Sequence, residues 1–116
     1  MTRRLAYKVL TAAQFAELQA DRFAGAAIDV ADGFIHLSTA AQLTETVQKH
    51  FTGAEGLVVA AVDLTLLGDA LRWEPSRGGA LFPHVYGALH MAHVVAHEPL
   101  RWRDGEVVLP GTDNGI

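Results

Sequence analysis

The sequence predicts an α+β fold in which two early helices pack on a twisted, mixed or antiparallel sheet. Two segments with helical spacing of apolar residues lie in the first half of the chain, and most segments with strand character follow them. Strands and helices do not alternate regularly, which argues against a doubly wound parallel sheet. No linker or repeat divides the chain, so residues 1–110 are predicted to form one domain, followed by a frayed tail over residues 111–116.

The first elements are a strand and a short helix. Apolar residues alternate over residues 4–10, which predicts a strand. Thr11 and Gln14 have the spacing of a capping box, so a helix is predicted over residues 12–20. The next segment, residues 21–33, has no clean period and contains turn signals, and no helix or strand is predicted there.

The middle of the chain repeats this order with stronger patterns. A short strand is predicted over residues 34–37, and Thr39 with Gln42 again has capping-box spacing at the start of a helix. That helix is predicted to stop at Gly53. Residues 56–64 are almost wholly apolar, which is typical of a strand covered on both faces, so this strand is predicted to be the most central.

The last part of the chain is predicted to consist of short strands. Proline and glycine mark the turns between them. The predicted elements are a brief strand over residues 71–74, a loop over 75–79, a strand that begins at Val85 after Pro83, a late strand within 90–101, and a final short strand over 106–110.

Composition excludes several classes of function. The net charge is −4, so long-range attraction to nucleic acid or to an anionic membrane is not expected. The small basic group of Arg3, Arg4 and Lys8 is predicted to be solvated. The chain has no cysteine, which excludes disulfides and thiol chemistry. No apolar run approaches ~20 residues and no signal peptide is recognisable, so a cytoplasmic protein is predicted.

His36 is the first candidate site residue. It lies in the stretch DGFIHLSTAAQL, between Ile35 and Leu37. Strand alternation turns Ile35 and Leu37 toward the core and His36 toward an opening at the end of the strand, beside the Ser38 and Thr39 hydroxyls. The alternative is a core histidine whose ring is satisfied by a backbone carbonyl.

A second stretch, LRWEPSRGGALFPHVYGAL, adds charged and flexible groups. Arg77 is a candidate for binding a phosphate or carboxylate with two hydrogen bonds, and the glycines at 78 and 79 let the backbone approach a ligand. Glu74 is a candidate for orienting a sugar hydroxyl, or it pairs with Arg72 or Arg77 at the surface. The alternative for this loop is a plain connection between strands.

Three further residues of this stretch alternate along the chain. Phe82, His84 and Tyr86 share a face if the segment is extended, and such a face suits stacking on a planar ligand. The same pattern equally suits the buried face of a sheet, so both interpretations stay open.

The late histidines are not predicted to bind metal. His90, His93 and His97 would line one face of a helix, but Val94, Val95 and the following proline favour a strand. No acidic residue completes a ligand set at a recognisable spacing.

The motifs DGFIHLSTAAQL, WEPSRGG and LFPHVYGAL, in this order, resemble a bacterial family known as domain of unknown function 952 (DUF952). The resemblance covers nearly the whole chain. The family has no established activity. The resemblance implies a fold related to the ADP-ribosyltransferase superfamily, in which a split, twisted sheet holds NAD in a cleft.

This resemblance implies roles for four residues. His36 matches the histidine that holds the ribose hydroxyls of NAD on an early strand of those enzymes. Ser38 is implied to help hold the nicotinamide side, and Tyr86 or Phe82 to stack on the nicotinamide ring. The implied ligand is NAD or an ADP-ribose-like nucleotide.

The resemblance also implies a glutamate that stabilises the positive charge on the ribose as the nicotinamide bond breaks. No motif fixes this residue, so Glu74, Glu98 and Glu106 all stay open. We take His36 and Glu74 as the catalytic candidates, and Ser38, Arg77, Phe82, His84 and Tyr86 as the ligand-binding candidates. The alternative function is a non-catalytic module that binds a small ligand or a protein.

Overall fold

The computed structural model describes residues 4–111, apart from the side chain of Arg77. Helices and short strands follow one another in this order: β1 (Leu5–Leu10), α1 (Ala12–Gln19), α2 (Ala27–Asp32), β2 (Ile35–His36), α3 (Ala40–His50), β3 (Val58–Asp63), β4 (Leu71–Pro75), β5 (Leu81–Val85), β6 (Val94–Pro99), β7 (Trp102–Arg103) and β8 (Glu106–Val107). The predicted α+β class is confirmed.

The first sheet has the order β1-β3-β6 and is antiparallel. Its central strand is β3, as predicted from the apolar run. Successive side chains of a strand point to opposite faces, and β3 supplies both faces of the core. Ala60 and Val62 pack in one apolar cluster with Leu10, while Val59 and Ala61 pack in another with Tyr7.

The second sheet has the order β2-β5-β4 and is also antiparallel. Among the described residues, the backbones of Tyr7 and Ser38 link it to the first sheet. The backbone N–H of Tyr7 donates to the carbonyl of Ser38 at 2.7 Å, and the Ser38 N–H donates to the Tyr7 carbonyl at 2.9 Å. The short segment that contains His36 therefore lies where the two sheets join. The remaining pair, β7 and β8, forms a two-stranded sheet.

The helices begin where the sequence predicts for α1 and α3. The hydroxyls of Thr11 and Thr39 accept hydrogen bonds from the backbone of Gln14 and Gln42, and both capping boxes are complete. Helix α3 buries Leu43 and Val47, as its spacing requires. It ends at His50, three residues before the predicted stop. Within residues 4–111 no helix is long and apolar enough to cross a membrane.

The prediction of two early helices is wrong, because the segment without a clean period contains α2. Ile28 and Val30 on this helix are 53% and 65% exposed, so no apolar face reveals it in the sequence. The carboxylate of Asp29, at the third position of the helix, accepts from the N–H of the N-cap residue Ala26 at 2.8 Å, and Ala26 has no side chain that could cap the helix in return. A tertiary network around Asp29, rather than an apolar stripe, holds α2 in place.

The predicted start of β5 after Pro83 is also wrong, because β5 begins at Leu81 with Pro83 in its middle. The N and carbonyl of a strand residue point to the same neighbouring strand. The Pro83 carbonyl accepts from the Leu37 N–H at 3.0 Å, so the missing N–H of proline leaves the hydrogen bonds to β4 intact.

The late strand begins later than predicted. The predicted segment starts at residue 90, but Met91–His93 form a 3₁₀ turn and β6 begins only at Val94. The Val94 N–H donates to the Met91 carbonyl to close this turn.

We predict that Leu37→Ala destabilises the protein by about 2–5 kcal/mol. The Leu37 side chain is fully buried at the junction of the sheets, and its removal leaves a cavity. Urea unfolding measures the change. Leu66→Ala is the matched control, because Leu66 is exposed, and its effect should stay within about 0.5 kcal/mol. Equal effects of the two changes would contradict the described core.

Candidate functional site

The site is organised by a buried carboxylate, that of Asp29. Its Oδ1 accepts from the His36 N–H at 3.0 Å and lies 2.7 Å from His36 Nδ1. Its Oδ2 lies 2.8 Å from Lys8 Nζ and accepts from the Ala26 N–H at 2.8 Å. Each oxygen therefore has two donors, which fills the accepting capacity of an ionised carboxylate.

Lys8 is not solvated, so this part of the prediction for the basic group is wrong. Its side chain is buried, and Nζ donates to the carbonyl of His36 at 3.0 Å besides pairing with Asp29. Burial lowers the pKa of Lys8, although the Asp29 charge acts against this shift. Of the other two members of the group, Arg4 is exposed and Arg3 lies outside the described residues.

The electrostatics of Asp29 favour its charged form. Burial by itself raises the pKa of a carboxyl group, but the Lys8 ammonium and the hydrogen bonds from Lys8, His36 and Ala26 outweigh burial. The pKa of Asp29 therefore lies below its ordinary value, and the carboxylate is ionised at neutral pH.

His36 is oriented by carboxylates on both sides of its ring. Because ionised Asp29 can only accept, His36 Nδ1 carries the proton between them. His36 Nε2 lies 3.0 Å from Asp32 Oδ2, and the Asp32 side chain is 46% exposed. The predicted burial of Ile35 and Leu37 is confirmed. The His36 ring itself is partly exposed. Its two nitrogens contact carboxylates, and not a backbone carbonyl as the alternative interpretation required.

A second histidine is held in the same way. His84 Nδ1 lies 2.7 Å from Glu74 Oε1, and the Tyr86 hydroxyl donates to both Glu74 oxygens at 2.9 and 3.1 Å. The hydrogen bonds from His84 and then Tyr86 lower the pKa of Glu74. Glu74 therefore pairs with two of the candidate ligand-binding residues.

The other nitrogen of His84 has no partner. His84 is only 3% exposed, and its Nε2 makes no hydrogen bond within the part of the chain that the structure describes. Leaving a buried polar atom unpaired costs roughly 1–3 kcal/mol. Such an atom on the wall of a cavity marks a position where a bound molecule can supply the missing partner.

Phe34 connects the two histidines. Its ring stacks on His84 with centroids 4.2 Å apart and lies 4.7 Å from His36 and 5.1 Å from Tyr86. The His36 and His84 centroids are 5.3 Å apart, in an edge-to-face arrangement. The sequence does not single out Phe34, although its alternation with His36 places the two on one face.

A cavity of about 510 Å³ opens beside these rings. It brings together four of the predicted site residues, since His36, Ser38, Phe82 and His84 all lie on its wall. The wall also contains polar groups that the sequence does not single out as site residues, among them Lys8, Asp32 and Ser76. No pattern in the sequence predicts the role of Asp29 at this site, because Lys8 and His36, which it binds, lie on other elements.

Two other predicted residues, Glu74 and Tyr86, lie outside the wall. Glu74 is hydrogen-bonded to His84, which does line the cavity, and Tyr86 is hydrogen-bonded to Glu74. The side chain of Arg77 lies outside the described part of the chain. Its backbone belongs to a 3₁₀ turn in which Gly78 and Gly79 have φ of +66° and +83°, a conformation that favours glycine.

The late histidines lie away from this site and do not converge. His90 and His93 are 5.6 Å apart by ring centroid, and His97 contacts Phe15. No group of three or more metal-ligating side chains is found among the residues that the structure describes.

Comparisons with known proteins give one family and no curated relative. The model of the family described as "Protein of unknown function (DUF952)" matches residues 9–97. The X-ray crystal structure of protein CC0527 from Caulobacter crescentus is 45% identical, covers 91% of this chain and 92% of that chain, and has a TM-score of 0.81. The solution NMR structure of CC0527 is also 45% identical, covers 90% of each chain, and has a TM-score of 0.76. No curated protein matches.

We predict that Asp29→Asn destabilises the protein by about 3–5 kcal/mol, because it leaves the Lys8 charge buried without its partner. Urea unfolding at neutral pH measures the loss. Asp32→Asn is the matched control, since Asp32 contacts the other nitrogen of the same ring but is half exposed; its cost should be about 0–1 kcal/mol. Similar losses for both variants would contradict the central place of Asp29.

We also predict how the loss of stability caused by Asp29→Asn depends on pH. The folded-state pKa of Asp29 lies below its ordinary value of 3.8, so in acid the unfolded chain binds a proton before the folded chain does. The contribution of Asp29 is therefore fully present above pH 5 or so and is lost as the pH falls through the lower folded-state pKa. We therefore expect the difference in urea midpoint between wild type and Asp29→Asn, measured from pH 7 to pH 2, to become smaller below about pH 4. A constant difference would show that Asp29 is not ionised in the fold.

Proposed function

We propose that this chain, which belongs to the DUF952 family, binds NAD or an ADP-ribose-like nucleotide in the cavity beside His36 and His84. An ADP-ribosyltransferase-like relationship of the fold is part of this proposal. Two antiparallel sheets that meet beside His36 support it, as does a cavity of about 510 Å³, since small-ligand sites usually measure roughly 300–1,000 Å³.

The orientation of His36 carries the proposal. Its ring is fixed by Asp29 on one side, so Nε2 is directed to the same place before any ligand arrives. A preorganised group loses little conformational freedom on binding. With a proton on each nitrogen of the His36 ring, a ribose hydroxyl can accept from Nε2 while it donates to the carboxylate of Asp32, which lies on the cavity wall.

The rest of the wall suits the other parts of a nucleotide. Phe82 and His84 offer flat surfaces for a planar ring. Ser76 places the loop of residues 76–79 at the cavity, where its hydroxyl and the glycine backbone can approach a phosphate. Binding of the phosphate by Arg77 stays a prediction.

Catalysis is a separate part of the proposal. Cleavage of a nicotinamide–ribose bond needs a carboxylate near the sugar. Asp32 lies on the wall, whereas Glu74 lies outside it and is bonded to His84 and Tyr86. This position of Glu74 favours the second candidate function, a module that binds the ligand without cleaving it.

Calorimetry with NAD, ADP-ribose and nicotinamide tests the proposal. We expect His36→Asn to weaken nucleotide binding by about tenfold, which corresponds to one lost hydrogen bond of about 1.4 kcal/mol. The asparagine amide keeps a donor near Asp29 and removes the Nε2 position. His97→Ala is the control, because His97 lies on β6 and not on the cavity wall.

Three outcomes are informative. No heat with millimolar NAD or ADP-ribose would end the nucleotide proposal. Equal affinities for wild type and His36→Asn would remove His36 from the binding site. Release of nicotinamide from NAD by the wild type, with none by Asp32→Asn, would decide in favour of an enzyme over a binding module.

A further inference from the structure

The Nε2 atom of His84 makes no hydrogen bond to any residue that the structure describes. His84 lines the cavity, its Nε2 is buried, and the Glu74 carboxylate lies 2.7 Å from the other nitrogen of the ring. A carboxylate can only accept, so Nδ1 is the nitrogen that carries the proton. The neutral ring then presents a lone pair at Nε2 as a hydrogen-bond acceptor.

The surrounding residues hold the ring in this orientation. Glu74 is held by the Tyr86 hydroxyl, whose single hydrogen is shared between the two carboxylate oxygens, so the carboxylate cannot swing away freely. Phe34 stacks on one face of the His84 ring at 4.2 Å, with an interplanar angle of 27°. Rotation of the ring would break the bond to Glu74 and the stacking contact together, so Nε2 keeps its place.

We propose that His84 Nε2 accepts a hydrogen bond from a neutral hydroxyl or amide N–H group of the molecule that occupies the cavity. An anion such as a phosphate dianion has no proton to donate to this atom. A cation would have to lose its water to reach a buried nitrogen, which is costly. The identification of the occupant as a nucleotide rests on the proposed function, whereas the accepting role of Nε2 rests on the geometry of His84.

Glu74 is then a positioning residue. Its carboxylate selects the form of His84 that bears the Nδ1 proton and leaves Nε2 free. Glu74→Gln replaces one oxygen by an amide that can donate to Nδ1, which would move the ring proton to Nε2 and turn the acceptor into a donor.

Long-range ¹H–¹⁵N NMR of the full chain reads the proton position of each imidazole directly. We expect a protonated Nδ1 and a bare Nε2 for His84 in the free protein, and the reverse in Glu74→Gln. Two probes distinguish the source of the donor: nicotinamide supplies an amide N–H and ADP-ribose supplies hydroxyls. The effective probe should shift the His84 Nε2 resonance.

Two variants separate the nitrogens. His84→Asn keeps a donor toward Glu74 but has nothing at the Nε2 position, so it should weaken binding of the effective probe by about tenfold. His84→Gln places an amide oxygen near the Nε2 position and should retain affinity to within about threefold. Thermal melting without ligand confirms that each variant is folded.

The outcomes separate this inference from the proposed function. A protonated Nε2 in the free protein, or unchanged binding by His84→Asn, overturns the inference. If ADP-ribose binds but neither probe shifts the Nε2 resonance, the inference is wrong and nucleotide binding stands. If ADP-ribose does not bind but nicotinamide shifts the resonance, the inference stands and nucleotide binding falls. If neither probe binds, both fail.

Discussion

The carboxylate of Asp29 is the constraint on which the site depends. It binds Lys8 from β1, the backbone at the start of α2, and both the backbone and the ring of His36 on β2. One buried charge thus joins three elements that are separate in the sequence. Because α2 has no apolar face of its own and His36 has an exposed edge, neither would be fixed by hydrophobic packing alone.

The two histidines show the same construction with opposite results. Each is held at Nδ1 by a carboxylate at 2.7 Å, and Phe34 packs against both rings. The Nε2 of His36 faces the Asp32 carboxylate, which can only accept, so this contact requires a proton on Nε2 besides the one on Nδ1. The Nε2 of His84 faces no polar group in the described part of the chain and is left as an acceptor. The cavity therefore carries a donor and an acceptor on adjacent strands β2 and β5.

The sequence predicts those features that local chemistry decides. The capping boxes at Thr11 and Thr39 and the apolar run of β3 depend on neighbouring residues, and the structure agrees with all of them. Alternation within residues 34–37 likewise predicts which side of β2 carries His36. Helix α2 and the burial of Lys8 are missed, because both depend on a carboxylate that only the tertiary fold brings to them. The start of β5 is predicted wrongly for a similar reason, since a proline is tolerated within this strand only because its missing N–H does not face β4.

The pairing of Lys8 with Asp29 also bears on how this chain can diverge. In a buried pair of opposite charges, substitution of one member leaves the other charge buried without a partner, which is strongly destabilising. The two positions lie on different elements, yet the effect of a substitution at one depends on the residue at the other. A substitution at either position alone therefore removes stability and, with it, the support that fixes the His36 imidazole.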